Sequence, residues 1–219
     1  MTTVINKKGL NPNYIYKKIK LKGTKHTADV YDHALPENVF RDIQARIFNQ
    51  LPWFLESGDR SKQSYAASPL NNYKITDHTQ FNHLFYHVNE RAHGWSQYTN
   101  FIDPVLNILS PRAWFRCKAN YVARGDKKGI SRGWHHDATG SMNGENGNPA
   151  WNEFKIAVLY LNTNNGYTIM ETNNRVESVE NRLVIFPNDV LHTAILQTDV
   201  PHRIVLNMVF LPYKEYKKK

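Results

Sequence analysis

The residues best suited to chemistry in this chain are two histidines and an aspartate at a spacing typical of a metal site. His135 and Asp137 are separated by one residue, and His192 follows 55 residues after Asp137. In a β-strand alternate side chains point the same way, so His135 and Asp137 share a face and His136 points to the other. Two neutral imidazoles and one carboxylate leave three open positions on Fe(II). The pattern predicts an iron site at His135, Asp137 and His192, with His136 as an alternative first ligand.

A buried arginine is expected eleven residues beyond the last of these ligands. Arg203 and Asn207 lie on one face of the apolar strand that follows, and no acidic residue occupies an alternating position on it. Because an unpaired interior charge is costly, Arg203 needs an anionic partner. The far carboxylate of 2-oxoglutarate would provide it, while the other end of that molecule occupies open positions on the metal. Asn207 and Asn120 are candidates for contacts with 2-oxoglutarate or substrate, or else for satisfying buried backbone groups.

Composition is ordinary for one soluble domain. The chain has 219 residues, 41% of them apolar and 21% charged. A single cysteine, Cys117, excludes an internal disulfide. Together with the lack of a signal-peptide pattern or a membrane-length apolar run, this favours a cytoplasmic protein. Part of the net charge of +9 lies in residues 17–25 and 214–219, and charged termini are more often solvated tails than binding sites.

The two halves of the chain have different hydrophobic patterns. Apolar residues at helical spacing predict helices over residues 36–48, 79–92 and 100–109, the last ended by Pro111. These helices are expected to pack against a sheet. From Pro111 onward, short strands alternate with turn residues. The predicted strands cover residues 113–123, a short segment into His135, 154–162, 167–171, 175–179, 182–186, 190–197 and 203–211.

Eight short strands with tight connections predict a mainly β fold, a double-stranded β-helix or jelly roll, supported by the N-terminal helices. We interpret residues 1–219 as one domain. Residues 1–110 would form an N-terminal arm with the supporting helices, residues 111–212 the double-stranded β-helix core, and residues 213–219 a basic tail.

Several motifs over residues 113–212 resemble those of the Fe(II)/2-oxoglutarate dioxygenases, and within that family the prolyl-hydroxylase-like branch and its phage-encoded relatives. The motifs are Arg116-Cys117-Lys118-Ala119-Asn120-Tyr121, His135-His136-Asp137, Val158-Leu159-Tyr160-Leu161-Asn162, Asn181-Arg182-Leu183-Val184-Ile185-Phe186, His192, and Arg203-Ile204-Val205-Leu206-Asn207. The resemblance implies that the Tyr160 hydroxyl helps Arg203 to hold 2-oxoglutarate. Tyr121 matches an aromatic position that faces the metal in prolyl hydroxylases, or is simply a core tyrosine.

The implied reaction consumes O2 and 2-oxoglutarate, releases succinate and CO2, and hydroxylates a substrate C–H bond. The resemblance points first to a peptidyl residue such as proline. Residues 125–132 and 138–149 flank the metal strand and either close over an extended peptide or form plain surface loops. A free amino acid or other small molecule is the alternative substrate. The basic charge suits nucleobase demethylation, but that branch carries a second arginine shortly after the anchoring one, which is missing here. A non-catalytic jelly-roll binding module is the remaining alternative.

Overall fold

The computed structural model describes residues 5–56, 70, 74–75, 80–88, 94–131, 133–138 and 151–213. Thirteen strands lie within these ranges, together with helices α1 (Glu37–Asn49) and α2 (Asp103–Leu109). The strands are β1 (Ile15–Lys20), β2 (Thr27–Asp32), β3 (Phe54–Leu55), β4 (Lys74–Ile75), β5 (Gln80–His87), β6 (Ala113–Ala123), β7 (Ile130–Ser131), β8 (Lys155–Tyr160), β9 (Tyr167–Met170), β10 (Arg175–Glu177), β11 (Leu183–Pro187), β12 (His192–Ile195) and β13 (His202–Leu211). Neither helix is long and apolar enough to cross a membrane, a finding limited to the described residues.

The strands form two sheets, and from β6 onward the chain passes back and forth between them. The large sheet has the order β1-β2-β11-β8-β13-β6-β5-β3, and the small sheet has the order β10-β9-β12-β7-β4. Almost all neighbours are antiparallel; β4 and β7 are parallel. This is the arrangement of a jelly roll, and it confirms the predicted fold class.

The large sheet is buried on both faces along its central strand β13. Ile204, Leu206 and Met208 belong to a hydrophobic cluster with residues of both helices, such as Phe40 and Ile108. The intervening residues point toward the small sheet, where Val205 and Val209 pack in a second cluster. Side-chain alternation therefore places Arg203 and Asn207 between the sheets, on the face that was expected from the sequence.

The helix predicted over residues 79–92 is wrong within its described part, which forms strand β5. The apolar residues at helical spacing that suggested this helix are Phe81, Leu84, Phe85 and Val88. Only Phe85 among them is fully buried, whereas Val88 is 40% exposed. The helical spacing is fortuitous, because β5 is an interior strand between β3 and β6 and carries apolar and aromatic side chains on both faces. A bulge between Leu84 and Tyr86 shifts the alternation further. The other two helices are confirmed, the last with a shorter α-helical part preceded by a 3-10 turn over Thr99–Phe101.

Strands β1 and β2 were not expected in the charged N-terminal segment. They extend the large sheet beyond β11, so the basic stretch contributes an edge strand whose side chains are mostly exposed. Lysines on an edge strand discourage pairing with other chains. The N-terminal part of the chain thus supplies strands to the same sheet as the jelly-roll core. The interpretation of residues 1–219 as one domain stays a prediction, and residues 214–219 lie outside the described residues.

Candidate metal centre

The structure brings His135, Asp137 and His192 together at one end of the small sheet. His135 and His192 form an isolated antiparallel bridge, with reciprocal backbone hydrogen bonds of 3.0 and 3.2 Å. One potential ligand atom from each of the three side chains lies within 4.8 Å of the others. Asp137 Oδ1 is 3.8 Å from His135 Nε2, and Asp137 Oδ2 is 3.4 Å from His192 Nε2. The group has the size and composition of a site for one metal ion.

Backbone carbonyls orient both imidazoles. Nδ1 of His135 lies 2.9 Å from the Gly133 carbonyl oxygen, and Nδ1 of His192 lies 3.2 Å from that of Val190. Because a carbonyl only accepts hydrogen bonds, each Nδ1 carries the proton, and each Nε2 lone pair is left to point at Asp137. Burial and the neighbouring His192 lower the pKa of His135 to about 4. A neutral imidazole is the form that binds a metal.

His136 points away from this group. Its Nδ1 is 3.0 Å from the carbonyl oxygen of Asn188, and its ring lies edge-on to Trp151 at a centroid distance of 5.1 Å. The alternation that favoured His135 over His136 is thus present in the folded chain.

Two side chains of the large sheet hold the Asp137 carboxylate. Arg116 on β6 donates to Oδ1, and Asn207 on β13 donates to Oδ2 at 2.9 Å. Arg116 also donates to the Asn207 side-chain oxygen at 3.3 Å. Burial alone would raise the pKa of Asp137, but the charge of the Arg116 guanidinium outweighs it and holds that pKa well below its usual range. Asp137 is therefore kept ionised, which is the state a metal requires.

Arg203 is buried between the sheets and only 4% exposed. Its Nε donates to the Ser178 hydroxyl at 2.8 Å, its Nη2 lies 3.3 Å from the Thr168 hydroxyl, and its guanidinium carbon lies 5.3 Å from the centre of the Tyr160 ring. None of the described residues forms a salt bridge with it. Burial lowers the pKa of Arg203. The Tyr160 hydroxyl donates to the Thr168 hydroxyl at 2.8 Å. Thr168 lines the cavity beside Arg203, where the Tyr160 hydroxyl was expected to help hold 2-oxoglutarate.

Tyr121 does not face the metal group. It pairs with Ile204, on the face of the large sheet that packs against the helices, and its ring contacts Trp53, Phe81 and His202. The expectation that Tyr121 binds a cofactor conflicts with this position, because its neighbours Asn120 and Val122 are the β6 residues that point between the sheets. The alternative of a core tyrosine fits the structure.

A cavity of about 310 Å³ connects the metal group with Arg203. The sequence interpretation missed several residues that line it, namely Glu56, Gln80, Arg116, Lys118 and Thr168. Arg116 and Lys118 could have been noticed from alternation within β6, which places them on the same face as Asn120. Their proximity to Asp137 depends on the pairing of β6 with β13, and that pairing is not written in either strand alone.

No family model and no curated protein matches this chain. Similarity is found among solved structures. The non-heme α-ketoglutarate-dependent epimerase SnoN of nogalamycin biosynthesis is 10% identical, with a TM-score of 0.52 over 84% of this chain and 76% of that one. A Trichoplax adhaerens prolyl hydroxylase in complex with a hypoxia inducible factor peptide fragment is 11% identical, with a TM-score of 0.50 over 84% and 83%. A Pseudomonas putida prolyl-4-hydroxylase is 16% identical, with a TM-score of 0.46 over 87% and 95%.

At these identities the comparisons establish the fold. The chain shares its fold with the α-ketoglutarate-dependent epimerase SnoN and with the Trichoplax prolyl hydroxylase, which is the fold that the resemblance of its motifs implied.

Proposed function

We propose that this protein is an Fe(II)- and 2-oxoglutarate-dependent dioxygenase that hydroxylates a substrate C–H bond. One observation carries the proposal: a two-histidine, one-carboxylate group and a buried arginine with no carboxylate partner among the described residues line the same cavity. The donor set fits Fe(II), because two imidazoles and a carboxylate leave open positions for a bidentate co-substrate and O2. The arginine fits a ligand with a second carboxylate.

The residues of the chain have distinct parts in this reaction. His135, Asp137 and His192 would hold iron, which when bound supplies the activation of O2. Arg203 would hold the distal carboxylate of 2-oxoglutarate, with the hydroxyls of Ser178 and Thr168 beside it. Apolar cavity residues Val158, Ala194 and Val205 would limit water near the reacting atoms. The reaction balances as substrate, O2 and 2-oxoglutarate giving hydroxylated substrate, succinate and CO2.

A peptidyl residue such as proline is the first substrate that we propose. Its support is the motif resemblance and the similar fold of a prolyl hydroxylase whose structure contains a peptide fragment. The expected peptide-covering segments are described only in part, since residue 132 and residues 139–149 lie outside the described ranges. A free amino acid or other small molecule is the second candidate, favoured by a cavity near the lower end of the usual range for ligand pockets, about 300–1,000 Å³.

Anaerobic titration with Fe(II) and 2-oxoglutarate tests the proposal. The purified protein should develop a visible metal-to-ligand charge-transfer band, and the band should be lost in Asp137→Ala and His135→Gln. His136→Gln is the matched control, because His136 is the adjacent histidine and bonds to Asn188 instead of pointing at Asp137. That variant should keep the band. Succinate release would then be measured with proline-containing peptides and with free amino acids. Folded wild-type protein without the band would refute the proposal.

A further inference from the structure

The backbone on both sides of Asp137 is anchored. His135 precedes it by two residues and is bridged to His192 of the small sheet. Ala138 follows it, and the Asn188 side chain accepts from the Ala138 N–H at 2.9 Å and donates to the Ala138 carbonyl at 3.0 Å. With the backbone held at these two points, the direction of the Asp137 carboxylate is left to rotation of the side chain.

A ring of three hydrogen bonds fixes that rotation from the large sheet. Arg116 Nη2 donates to Asp137 Oδ1 and, at 3.3 Å, to Asn207 Oδ1, while Asn207 Nδ2 donates to Asp137 Oδ2 at 2.9 Å. Arg116 pairs with Val209 in the register of β6 and β13, so it is a diagonal neighbour of Asn207 and within reach of it. Because a carboxylate only accepts hydrogen bonds, Asp137 also determines which end of the Asn207 amide faces it. Each oxygen of the carboxylate therefore has its own donor in the large sheet.

Arg116 joins this ring through only one of its nitrogens. Its side chain is 16% exposed, and among the described residues Nη2 alone has hydrogen-bond partners, whereas the buried Nε has none. In the same fold, Arg182 holds Asp32 through both Nε and Nη2. The two-nitrogen geometry is the stronger one, and it is expected of a pair that serves stability. The one-nitrogen contact of Arg116 is instead expected if its place is set by the direction that the Asp137 carboxylate must take.

We infer that Arg116 is a positioning residue of the metal centre, which acts through Asp137 by fixing its carboxylate in the orientation that binds the metal. The inference deepens the proposed function and rests on its metal site. Rotation of the carboxylate would break its hydrogen bonds with both Arg116 and Asn207. Its second oxygen is thereby kept from occupying a further coordination position, so the positions needed by 2-oxoglutarate and O2 stay open.

The opposite effect on metal affinity is expected if Arg116 serves only to neutralise Asp137. A cation beside a metal site repels the metal ion, so its removal would tighten metal binding. A positioning role predicts weaker binding, because the carboxylate of a variant without Arg116 has to be ordered when the metal binds. Loss of a side chain that orients a metal ligand typically weakens binding by about 10- to 100-fold. The sign of the change in metal affinity thus separates the two roles.

Anaerobic calorimetric titration with Fe(II) measures this sign. Arg116→Met, which replaces the guanidinium with an apolar side chain of similar length, should bind Fe(II) about 10- to 100-fold more weakly than the wild type. Arg116→Lys, which keeps the charge and a donor, should recover part of the affinity. Asn207→Ala removes the donor to the other carboxylate oxygen and should also weaken binding. If Arg116→Met does not fold, the other two variants decide the question.

Arg182→Met is the matched control, because it removes an arginine–aspartate pair elsewhere in the fold. It should be less stable than the wild type but should bind Fe(II) with the same affinity. Unchanged or tighter Fe(II) binding by the folded Arg116 and Asn207 variants overturns the inference. Equal weakening in Arg182→Met overturns it as well, since the effect would then be one of general stability.

The charge-transfer band with 2-oxoglutarate separates this inference from the proposed function. Wild-type protein that binds Fe(II) without the band, together with weaker binding by Arg116→Met, would refute the dioxygenase and support the positioning role. Wild-type protein that shows the band, with an Fe(II) affinity that does not depend on Arg116, would refute the positioning role alone. Folded wild-type protein that binds no Fe(II) would refute both.

Discussion

Arg203 is a residue whose position costs the ligand-free protein stability. It is almost fully buried, and its described partners are two hydroxyls and the Tyr160 ring. Neutral partners compensate only part of the desolvation of a guanidinium, which is why burial lowers the pKa of Arg203. Arg182 offers a contrast within the same fold, because its guanidinium pairs with the Asp32 carboxylate through two nitrogens. Within the described part of the chain, Arg182 has a carboxylate partner and Arg203 has none. This difference is expected if Arg203 binds an anionic ligand.

We expect Arg203→Met to stabilise the ligand-free protein by about 1 kcal/mol or more, because replacing a buried charge with an apolar side chain of similar length removes its desolvation cost. The variant should also lose any stabilisation by 2-oxoglutarate. Urea denaturation with and without 2-oxoglutarate measures both effects. Arg182→Met is the matched control and should be destabilised, since it leaves Asp32 without its partner. If Arg203→Met is destabilised to the same extent as Arg182→Met, the residue has a structural role instead.

At the scale of elements, a strand whose side chains alternate clearly, such as β13, could be predicted from the sequence. Strand β5, which carries apolar and aromatic side chains on both faces, could not. The apolar run of β13 and its alternation placed Arg203 and Asn207 on one face, as the structure shows. In β5, by contrast, apolar residues occur at a spacing that fits a helix, and the choice between helix and strand is made by pairing with β3 and β6. Such pairing is a tertiary effect that overrides local propensity.

Long-range pairing also explains what was missed in the candidate site. Arg116 and Asp137 are distant in sequence and meet only because β6 pairs with β13 and the second sheet folds over both. The residue types of the metal group were recognisable from spacing alone. The residues that orient it were not, since nothing in their own strand indicates which partner they will face.

One turn ties the N-terminal segment to the jelly roll. Asn181 has a positive φ of 58° and is buried between the end of β10 and the start of β11. Its side chain accepts from the Leu35 backbone N–H and donates to the Leu35 carbonyl, both at 2.9 Å. Its own carbonyl accepts from the Ala34 N–H at 2.9 Å. These bonds fix the chain just before α1, so the turn determines where that helix meets the sheet.

Substitutions at Asn181 should therefore act on folding of the whole N-terminal part. Asn181→Gly is expected to lower the free energy of unfolding by about 2 kcal/mol, because two buried backbone groups lose their partners. Asn181→Ala should cost about 1 kcal/mol more, since alanine resists the left-handed conformation. Chemical denaturation gives both values. Asn173→Gly is the control: Asn173 has a similar φ of 59° but is exposed, and its change should stay within about 0.5 kcal/mol. Equal losses at both positions would contradict the role of the Leu35 contacts.

At the scale of the whole molecule, the two sheets supply different parts of the candidate site. The small sheet and its bridge carry His135 and His192, whereas the large sheet carries Arg203, Asn207 and Arg116. A ligand that binds the metal with one end and Arg203 with the other would connect the sheets. Its binding then depends on the metal, and by linkage the binding of the metal depends on the ligand to the same degree.

Thermal unfolding under anaerobic conditions should reveal this coupling. Fe(II) at 100 times its dissociation constant should stabilise the protein by about 2.7 kcal/mol, and 2-oxoglutarate should add a further increase that is much larger with Fe(II) than without it. The reason is that 2-oxoglutarate alone can use only Arg203, while with iron it is held at both ends. Asp137→Ala should lose the response to Fe(II) and the coupled increment, yet keep the small effect of 2-oxoglutarate alone. Equal stabilisation by 2-oxoglutarate with and without Fe(II) would mean that the two ligands bind independently, and a ligand bridge between the sheets would then be excluded.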